Sequence, residues 1–540
     1  MASQTVDLLV IGGGITGACI ARDAARRGIR TALVDRGDFA GGSSGRSSTF
    51  IHGGIPYVQD RGWRSVLEES KERRLLLRLA PHLVRPLPVL LPFYTTDRWP
   101  AWKALAGLTL YDLVSLSRNV RSHRRLGKRA VLRREPELRS RELRGGALYW
   151  AATCADARLT LAAARDARRA GALVANYAGV TGFDKAGARV TGARIRDELS
   201  GETLTVRAFR LVAAAGAWSD AIRRLDDPAA APVTRLTRES HVTVPSHRLG
   251  IQGAVNVTSP IDGRSMLVAR DGHVATIGAA EAELVGSPDS ARVTAEDVLY
   301  LLRSINALFP AARLTTRDVL STWCGVRVDH RDVPDDGDPG ARGHPLEERP
   351  SGLLIVAGTT LGVARGTAEQ VTDRVARSLT LAGRPAAQRC TTAAAALPGG
   401  QVADLEVFAR ELSAAGAPPD LAAHLISTYG TEAPAVLRLI ERDRSLGTWI
   451  VPGLPVVWAE VEHAVRREMV MTMADVLVRR TSLLRRDPHH ALQQAPEVAR
   501  RLGDVLGWDP ERRRSELTRY ADAVRETVAF AGEFDAMRNA

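Results

Sequence analysis

Lysine is nearly missing from this chain. It stands only at positions 71, 103, 128 and 185, so almost all of the 74 basic residues are arginine, and with 61 acidic residues the formal net charge is +13. A surplus of that size can mark a partner such as nucleic acid, an anionic membrane or an acidic substrate. Arginine in place of lysine, together with heavy alanine and glycine usage, instead follows the codon bias of a GC-rich genome. Basic residues do crowd between Arg61 and Arg78 and between Arg118 and Arg134, but without interleaved aromatics or a nucleic-acid motif. No nucleic acid is therefore expected as a partner, while attraction to an anionic membrane surface stays open.

Cysteine is equally sparse. Cys19, Cys154, Cys324 and Cys390 lie far apart with no C-x-x-C spacing, which excludes a disulfide framework and a zinc site, and no metal is expected. No apolar run approaches the roughly 18 residues that cross a bilayer. The N-terminus lacks a basic segment followed by an apolar signal core, so the chain is expected to begin near Met1 in the cytoplasm. Aromatics make up 5% of the residues. What remains is an ordinary soluble composition, 45% hydrophobic and 25% charged over 540 residues, long enough for two or three domains.

The segment Asp7 to Asp35, DLLVIGGGITGACIARDAARRGIRTALVD, carries the first positive signal. Asp7 to Ile11 is a short apolar run suited to a buried parallel strand, and Gly12, Gly14 and Gly17 follow it in G-x-G-x-x-G spacing. Gly12 permits the tight turn, Gly14 lets backbone N–H groups approach a pyrophosphate, and Gly17 lets the following helix pack closely on the strand. The phosphates then meet the helix N-terminus at Ile15 and Thr16. Thr31 to Val34 is the second strand, and Asp35 lies about 20 residues beyond the loop, where a carboxylate can hydrogen-bond an adenosine ribose. A strand, loop, helix, strand and acid in that order predict a dinucleotide site.

Further along, Glu68 to Leu79 and Leu159 to Gly171 read as amphipathic helices, Leu173 to Tyr177 as a strand, and Val84 to Tyr94 as an apolar stretch broken by Pro86, Pro88 and Pro92. Trp99 to Leu116 suits either a packed or an interfacial helix. Strand signals continue at Val190 to Ile195 and Leu204 to Arg210. A buried run from Leu211 then breaks at Ala214, Gly216 and Trp218 near the dinucleotide, and Leu353 to Gly358 is a similar run, with Leu361, Gly362 and a helix from Thr367 to Leu381 after it. Between Arg235 and Val333, segments such as His241 to Val244, Ser265 to Val268 and Val274 to Ile277 predict an inserted antiparallel domain. Val333 to Arg342 reads as a loop. Beyond about residue 390 only helices are expected, the longest a single one over Glu460 to Leu483.

Several motifs extend the pattern. Ser43-Ser44-Gly45-Arg46-Ser47-Ser48-Thr49-Phe50-Ile51-His52-Gly53-Gly54-Ile55-Pro56-Tyr57 resembles the serine-rich loop and HGG segment of FAD-dependent glycerol-3-phosphate dehydrogenases. Asp156-Ala157-Arg158-Leu159, Ser240-His241, Gly325-Val326-Arg327 and the helix ending Arg479-Arg480-Thr481 resemble them too. The resemblance runs along essentially the whole chain. It implies an α/β, two-domain flavoprotein: a Rossmann-like FAD domain (about 1–80, 145–232 and 320–390), an inserted antiparallel-sheet substrate domain (about 81–144 and 233–319) and a C-terminal all-helical cap (391–540). It also implies oxidation of the secondary hydroxyl of glycerol 3-phosphate to dihydroxyacetone phosphate, with electrons passing to quinone or oxygen. A peripheral position on the inner membrane face and a homodimer remain open.

Carried over by position, the resemblance makes His241 the base, Tyr57 its neighbour on the substrate, and Arg327 and Arg342 the phosphate clamp. A planar guanidinium suits an oxyanion. FAD would lie against the glycine loop, Asp35 and Arg36, the loop residues Ser43, Ser44, Ser47 and Thr49, and His52 and Gly53 under the isoalloxazine. Val180, Ala214, Gly216, Trp218, Gly358, Leu361 and Gly362 would complete the cradle.

The chain departs from the family where substrate is expected. Where members read S-S-K-L-I-H-G-G-L-R-Y-L, Thr49 replaces the lysine and Pro56 the arginine; Thr360 replaces the lysine of G-G-K-L-T-T-Y-R. The usual K-G-S-H becomes Arg238-Glu239-Ser240-His241, and I-G-T-T-D becomes Ile277-Gly278-Ala279-Ala280-Glu281. A lost charge-assisted bond typically costs about 1.5–3 kcal/mol. A second reading therefore keeps the flavin chemistry but takes another phosphorylated or anionic polyol or sugar, with Glu239 and Glu281 recognising an amine or extra hydroxyls. A third is a flavoprotein that binds without catalysis or acts on RNA.

Overall fold

The computed structural model describes residues 5–51, 62–97, 100–114, 120–330, 346–402 and 404–539. Strand Val6–Ile11 lies at the centre of the first sheet, parallel to Thr31–Val34 on one side and Thr203–Ala213 on the other, with Ile11 opposite both Val34 and Ala213. Leu173–Ala175 extends one edge in parallel; Leu354–Val356 and Leu346–Glu348 extend the other. Alternate residues of the central strand enter opposite cores. Leu8 and Val10 pack with the alanine-rich helices Ile15–Arg26, Asp156–Arg169 and Ala364–Leu381, whereas Leu9 and Ile11 pack with Ala193, Ile195 and Val206. Burial on both faces is what an uninterrupted apolar strand requires. Strand Thr203–Ala213 serves twice, because its first half pairs antiparallel with Arg189–Asp197, which in turn pairs with Ala178–Ala186.

Among the described residues the second sheet has nine strands. It runs Ser321–His330, Thr234–Pro245, Val274–Glu283, Ser265–Asp271, Ala254–Thr258, Val84–Tyr94, Leu143–Cys154 and Phe50–Ile51, with Arg124–Gly127 also on Leu143–Cys154. The sheet is mostly antiparallel and takes Leu143–Cys154 and Ser321–His330, which the domain bounds implied by the resemblance put in the FAD part, although the strand pattern from Arg235 to Val333 put the latter in the antiparallel domain. Helix Ala295–Leu308, started by a Thr294–Asp297 capping box, covers one face by packing Val298, Leu301 and Ile305 on Val242, Val244 and Ile277. The proline-broken stretch Val84–Tyr94 is an 11-residue strand. Pro86, Pro88 and Pro92 are spaced by even numbers, so the N–H groups they lack all face one side, where the neighbouring strand meets only Val89 and Leu90.

Helices between Leu405 and Thr527 form a cap with its own core. The single helix expected over Glu460 to Leu483 is broken. Helix Trp458–Glu468 stops at Met469, which adopts left-handed backbone (φ 55°), and a wide turn follows at Asp475–Arg480. Asp475 causes the break by accepting the N–H groups of Met471 and Thr472 at 2.8 and 3.0 Å. The final helices return to the second sheet, where Phe530 joins the core and Thr322 donates to the Thr527 carbonyl at 2.8 Å. No helix among the described residues is long and apolar enough to cross a membrane.

Candidate active site

The glycine loop is closed by contacts that side chains would block. A Cβ on Gly12, whose φ is +109°, would meet the Ala214 carbonyl oxygen at 2.5 Å, and one on Gly17 would meet the Gly12 oxygen at 1.8 Å. Gly14 precedes helix Ile15–Arg26 without a side-chain cap, and no acid occupies the first turn. That leaves the positive helix end facing the loop, as a diphosphate requires. Ser44 Oγ accepts the Ile15 N–H at 2.9 Å, while Thr16 and Thr359 hydroxyls meet at 3.3 Å, tying Gly358, Thr359 and Thr360 to the same loop. Asp35 accepts the N–H groups of Gly13 at 2.5 Å and Gly37 at 2.7 Å. Burial nevertheless raises its carboxyl to about 6, against those two bonds. Strand Ala178–Ala186 begins against this acid, with the Ala178 N–H on the Asp35 carbonyl at 2.6 Å, and its Val180 packs against the core that holds Ile11 and Val34.

The serine loop joins both sheets. Ser43 Oγ donates to the Val326 carbonyl at 2.8 Å and accepts the Val326 N–H at 3.1 Å. Ser47 donates through its N–H (3.1 Å) and hydroxyl (2.8 Å) to Asp156, and the Thr49 N–H donates to Ser47 Oγ at 3.0 Å. Thr49 holds a φ of +63°, with its hydroxyl turned to the Ser48 carbonyl at 2.6 Å. Arg36 lies 4.5 Å over the Trp218 ring and pairs with Asp289, which also accepts the Trp218 indole N–H at 3.2 Å. Trp218 follows Gly216 in a short 3-10 turn after the strand ending at Ala213. Gly362 packs against Ile51, where a Cβ would stand 3.2 Å from its methyl, and Leu361 packs on the first core. The uncapped helix end, the glycine approaches and the loop between the two sheets together fit a dinucleotide such as FAD.

His241 lies on strand Thr234–Pro245, directly across from Trp323 and only 1% exposed. The two rings stack at 5.3 Å with 7° between planes. Its Nδ1 lies 3.1 Å from the Glu239 carbonyl, an acceptor that fixes the proton on Nδ1 and leaves Nε2 as the basic nitrogen; among the described residues Nε2 has no partner. Glycine at 278 makes room for the ring, since a Cβ there would lie 2.1 Å from His241 Cδ2. Burial, followed by the nearby Arg485 charge, lowers the imidazole to about 4.

Residues 239 and 241 face the same side of their strand, and 323, 325 and 327 the same side of the next. That side meets the serine loop, where a Cβ on Gly325 would approach the Arg46 carbonyl oxygen at 2.8 Å. Arg238 and Ser240 point the other way, to Asp297. Arg327 does not present an unpaired guanidinium. It bonds Glu239 at 2.7 Å, Glu281 at 3.1 and 3.3 Å and Asp329 at 3.2 Å. Burial lowers its basicity, yet Glu239 and Glu281 outweigh that and hold it well above the ordinary range. His52, Gly53, Pro56, Tyr57 and Arg342 lie outside the described residues.

Sequence reasoning passed over Trp323, Asp156 and Arg485. The first two stand inside or beside quoted motifs and are recoverable by asking what alternates with Gly325 and what holds Ser47; Arg485 carries no local signal at all.

Comparison with known proteins matches residues 7–374 to the family described as FAD dependent oxidoreductase and residues 390–513 to the C-terminal domain of alpha-glycerophosphate oxidase. A glycerol-3-phosphate dehydrogenase of Synechocystis is 31% identical over 96% of each chain. A probable mitochondrial glycerol-3-phosphate dehydrogenase of Caenorhabditis elegans is 33% identical over 95% of this chain and 72% of its own. The crystal structure of the glycerol-3-phosphate dehydrogenase from Bacillus halodurans with FAD superposes with a TM-score of 0.82 at 30% identity, covering 98% of this chain and 96% of that one. Both halves of the chain, in one order and along nearly its full length, lead to one conclusion: it belongs to the FAD-dependent glycerol-3-phosphate dehydrogenase family.

Proposed function

We propose that this chain oxidises the secondary hydroxyl of glycerol 3-phosphate to dihydroxyacetone phosphate and delivers the electrons to quinone at a membrane surface. The observation that carries the reading is His241, whose Nδ1 is committed to the Glu239 carbonyl so that Nε2 is the nitrogen able to accept the hydroxyl proton. FAD held at the glycine loop would supply the hydride acceptor for the carbon that bears this hydroxyl. Held near 4, the imidazole is neutral, and therefore a base, throughout the neutral range. Support for a membrane surface comes from helix Ala101–Val114, which exposes Trp102, Leu110 and Leu113 while burying Leu108 and Tyr111. Anaerobic mixing of the yellow protein with glycerol 3-phosphate should bleach the flavin; persistent colour at saturating substrate would defeat this reading.

One observation favours a second reading, the same oxidation on a different polyol. Arg327, the clamp retained from the family pattern, already has three carboxylate partners, and Thr360 stands where a lysine is expected. A phosphate dianion that takes Arg327 has to compete with the carboxylates of Glu239 and Glu281. Under this reading an amino polyol or a sugar phosphate bleaches the flavin faster than glycerol 3-phosphate does. Glu239→Gly should then improve apparent affinity for glycerol 3-phosphate about tenfold, the size of one charge-assisted bond.

A further inference from the structure

Arg485 comes from the cap, in the short helix Leu483–Arg486, yet it ends among the residues of the candidate active site. Its guanidinium lies 4.4 Å from the Trp323 ring centroid, and Nη2 donates to the Gly45 carbonyl of the serine loop at 3.0 Å. Trp323 in turn donates its indole N–H to the Ser47 carbonyl at 3.2 Å and stacks on His241. One side chain therefore reaches the loop at Gly45 directly, at Ser47 through Trp323, and His241 through the same ring. Arg485 makes no salt bridge among the described residues, unlike Arg479 and Arg480 on the same cap segment, which share Asp38. Asp156, the acid that also holds Ser47, acts on it only as a nearby counter-charge, so part of the cost of burying the guanidinium is left to its contacts with Gly45 and Trp323.

We propose that Arg485 is a positioning residue for His241, holding the Trp323 ring and the Gly45–Ser47 loop in register with the imidazole so that the cap completes the active site. Its charge contributes as well. A cation near the imidazole disfavours the protonated ring, which drives the proton onward after the reaction and extends the neutral form of Nε2 to more acid pH. Burial lowers Arg485 itself to about 10, so the charge persists through the neutral range.

The inference rests on the reading of His241 as the base, and the test separates the two. Arg485→Gln keeps a donor for Gly45 but removes the charge; Arg485→Lys keeps the charge but not the planar fork. In full-length, FAD-loaded protein, anaerobic flavin reduction by glycerol 3-phosphate is followed against pH, and histidine-labelled protein is titrated by NMR, with His241→Ala assigning the resonance. Arg485→Gln should leave the flavin spectrum and KM within about twofold, slow reduction about tenfold, and raise both the acid limb and the His241 titration by about one pH unit. Arg485→Lys should leave the titration where wild type has it. An unmoved His241 titration in Arg485→Gln overturns the inference even if His241→Ala abolishes reduction. A titration that moves while His241→Ala reduces flavin normally overturns the base assignment instead. The NMR readout needs no substrate, so it decides the matter even if glycerol 3-phosphate leaves the flavin oxidised.

Discussion

His241 owes its chemistry to neighbours that add almost no chemistry of their own. The Glu239 carbonyl sets its tautomer, Gly278 leaves it space and Trp323 fixes its plane. Replacing His241 with Ala should slow flavin reduction by roughly 10²-fold or more with FAD retained, measured in single turnover. Because burial and Arg485 hold the imidazole near 4, its base form is complete at neutral pH and is lost only as pH falls through that value, so the reduction rate should stay flat from neutrality to about pH 5. Gly278→Ala tests the space: the new methyl must displace the ring, and reduction should fall at least tenfold without loss of flavin absorbance. The glycine loop was readable as residue types in a set spacing, whereas His241 and Arg327 stood out only through the family resemblance. The carboxylates around Arg327 were visible as Glu239 and Glu281, but their convergence on one guanidinium depends on strand register, which spacing along a single strand does not encode.

Secondary-structure elements were legible where periodicity and backbone agree, as in Val6–Ile11, Ile15–Arg26 and Ala364–Leu381. They were misread where polar groups compete with the pattern. Val470, Met473, Val476 and Leu477 keep a helical apolar spacing beyond Met469, so the break there is invisible to periodicity and comes from Asp475 capturing backbone N–H groups. The break turns Glu468 toward Arg158, which grips it at 2.7 and 3.1 Å, with Arg165 nearby at 3.8 Å. Burial pushes that carboxyl up, but the two arginines outweigh it and bring it to about 2. Glu468→Gln strips Arg158 of its counter-charge, while Arg165 keeps Glu432 at 2.8 Å, and should destabilise by roughly 3–5 kcal/mol at pH 7. A depressed carboxyl stabilises above its unfolded pKa, so calorimetry should show this difference shrinking as pH falls from about 4 toward 2. Helix Ala101–Val114 makes a separate prediction. Removing Trp102 and Leu113, each 66% exposed, should weaken sedimentation with anionic vesicles severalfold, with added salt weakening it further; unchanged binding would place the membrane contact elsewhere.

Across the whole molecule, the cap is fastened by charge as well as by apolar packing. Arg479 and Arg480 meet Asp38, three residues past Asp35 at the glycine loop, at 2.5 Å and at 2.7 and 2.9 Å. Asn176 donates to the Met469 carbonyl at 2.9 Å, and the chain's last helices end back on the second sheet. The division into two sheets and a helical cap was legible from composition along the chain; the fastening was not, because each of its bonds joins residues hundreds of positions apart. A cap exchanged for a relative's brings its arginines but leaves Asp38 and Arg158 behind, so the two halves are inherited as matched sets. Hybrids that move the cap with its partner residues should fold and hold flavin, and those that move the cap alone should not.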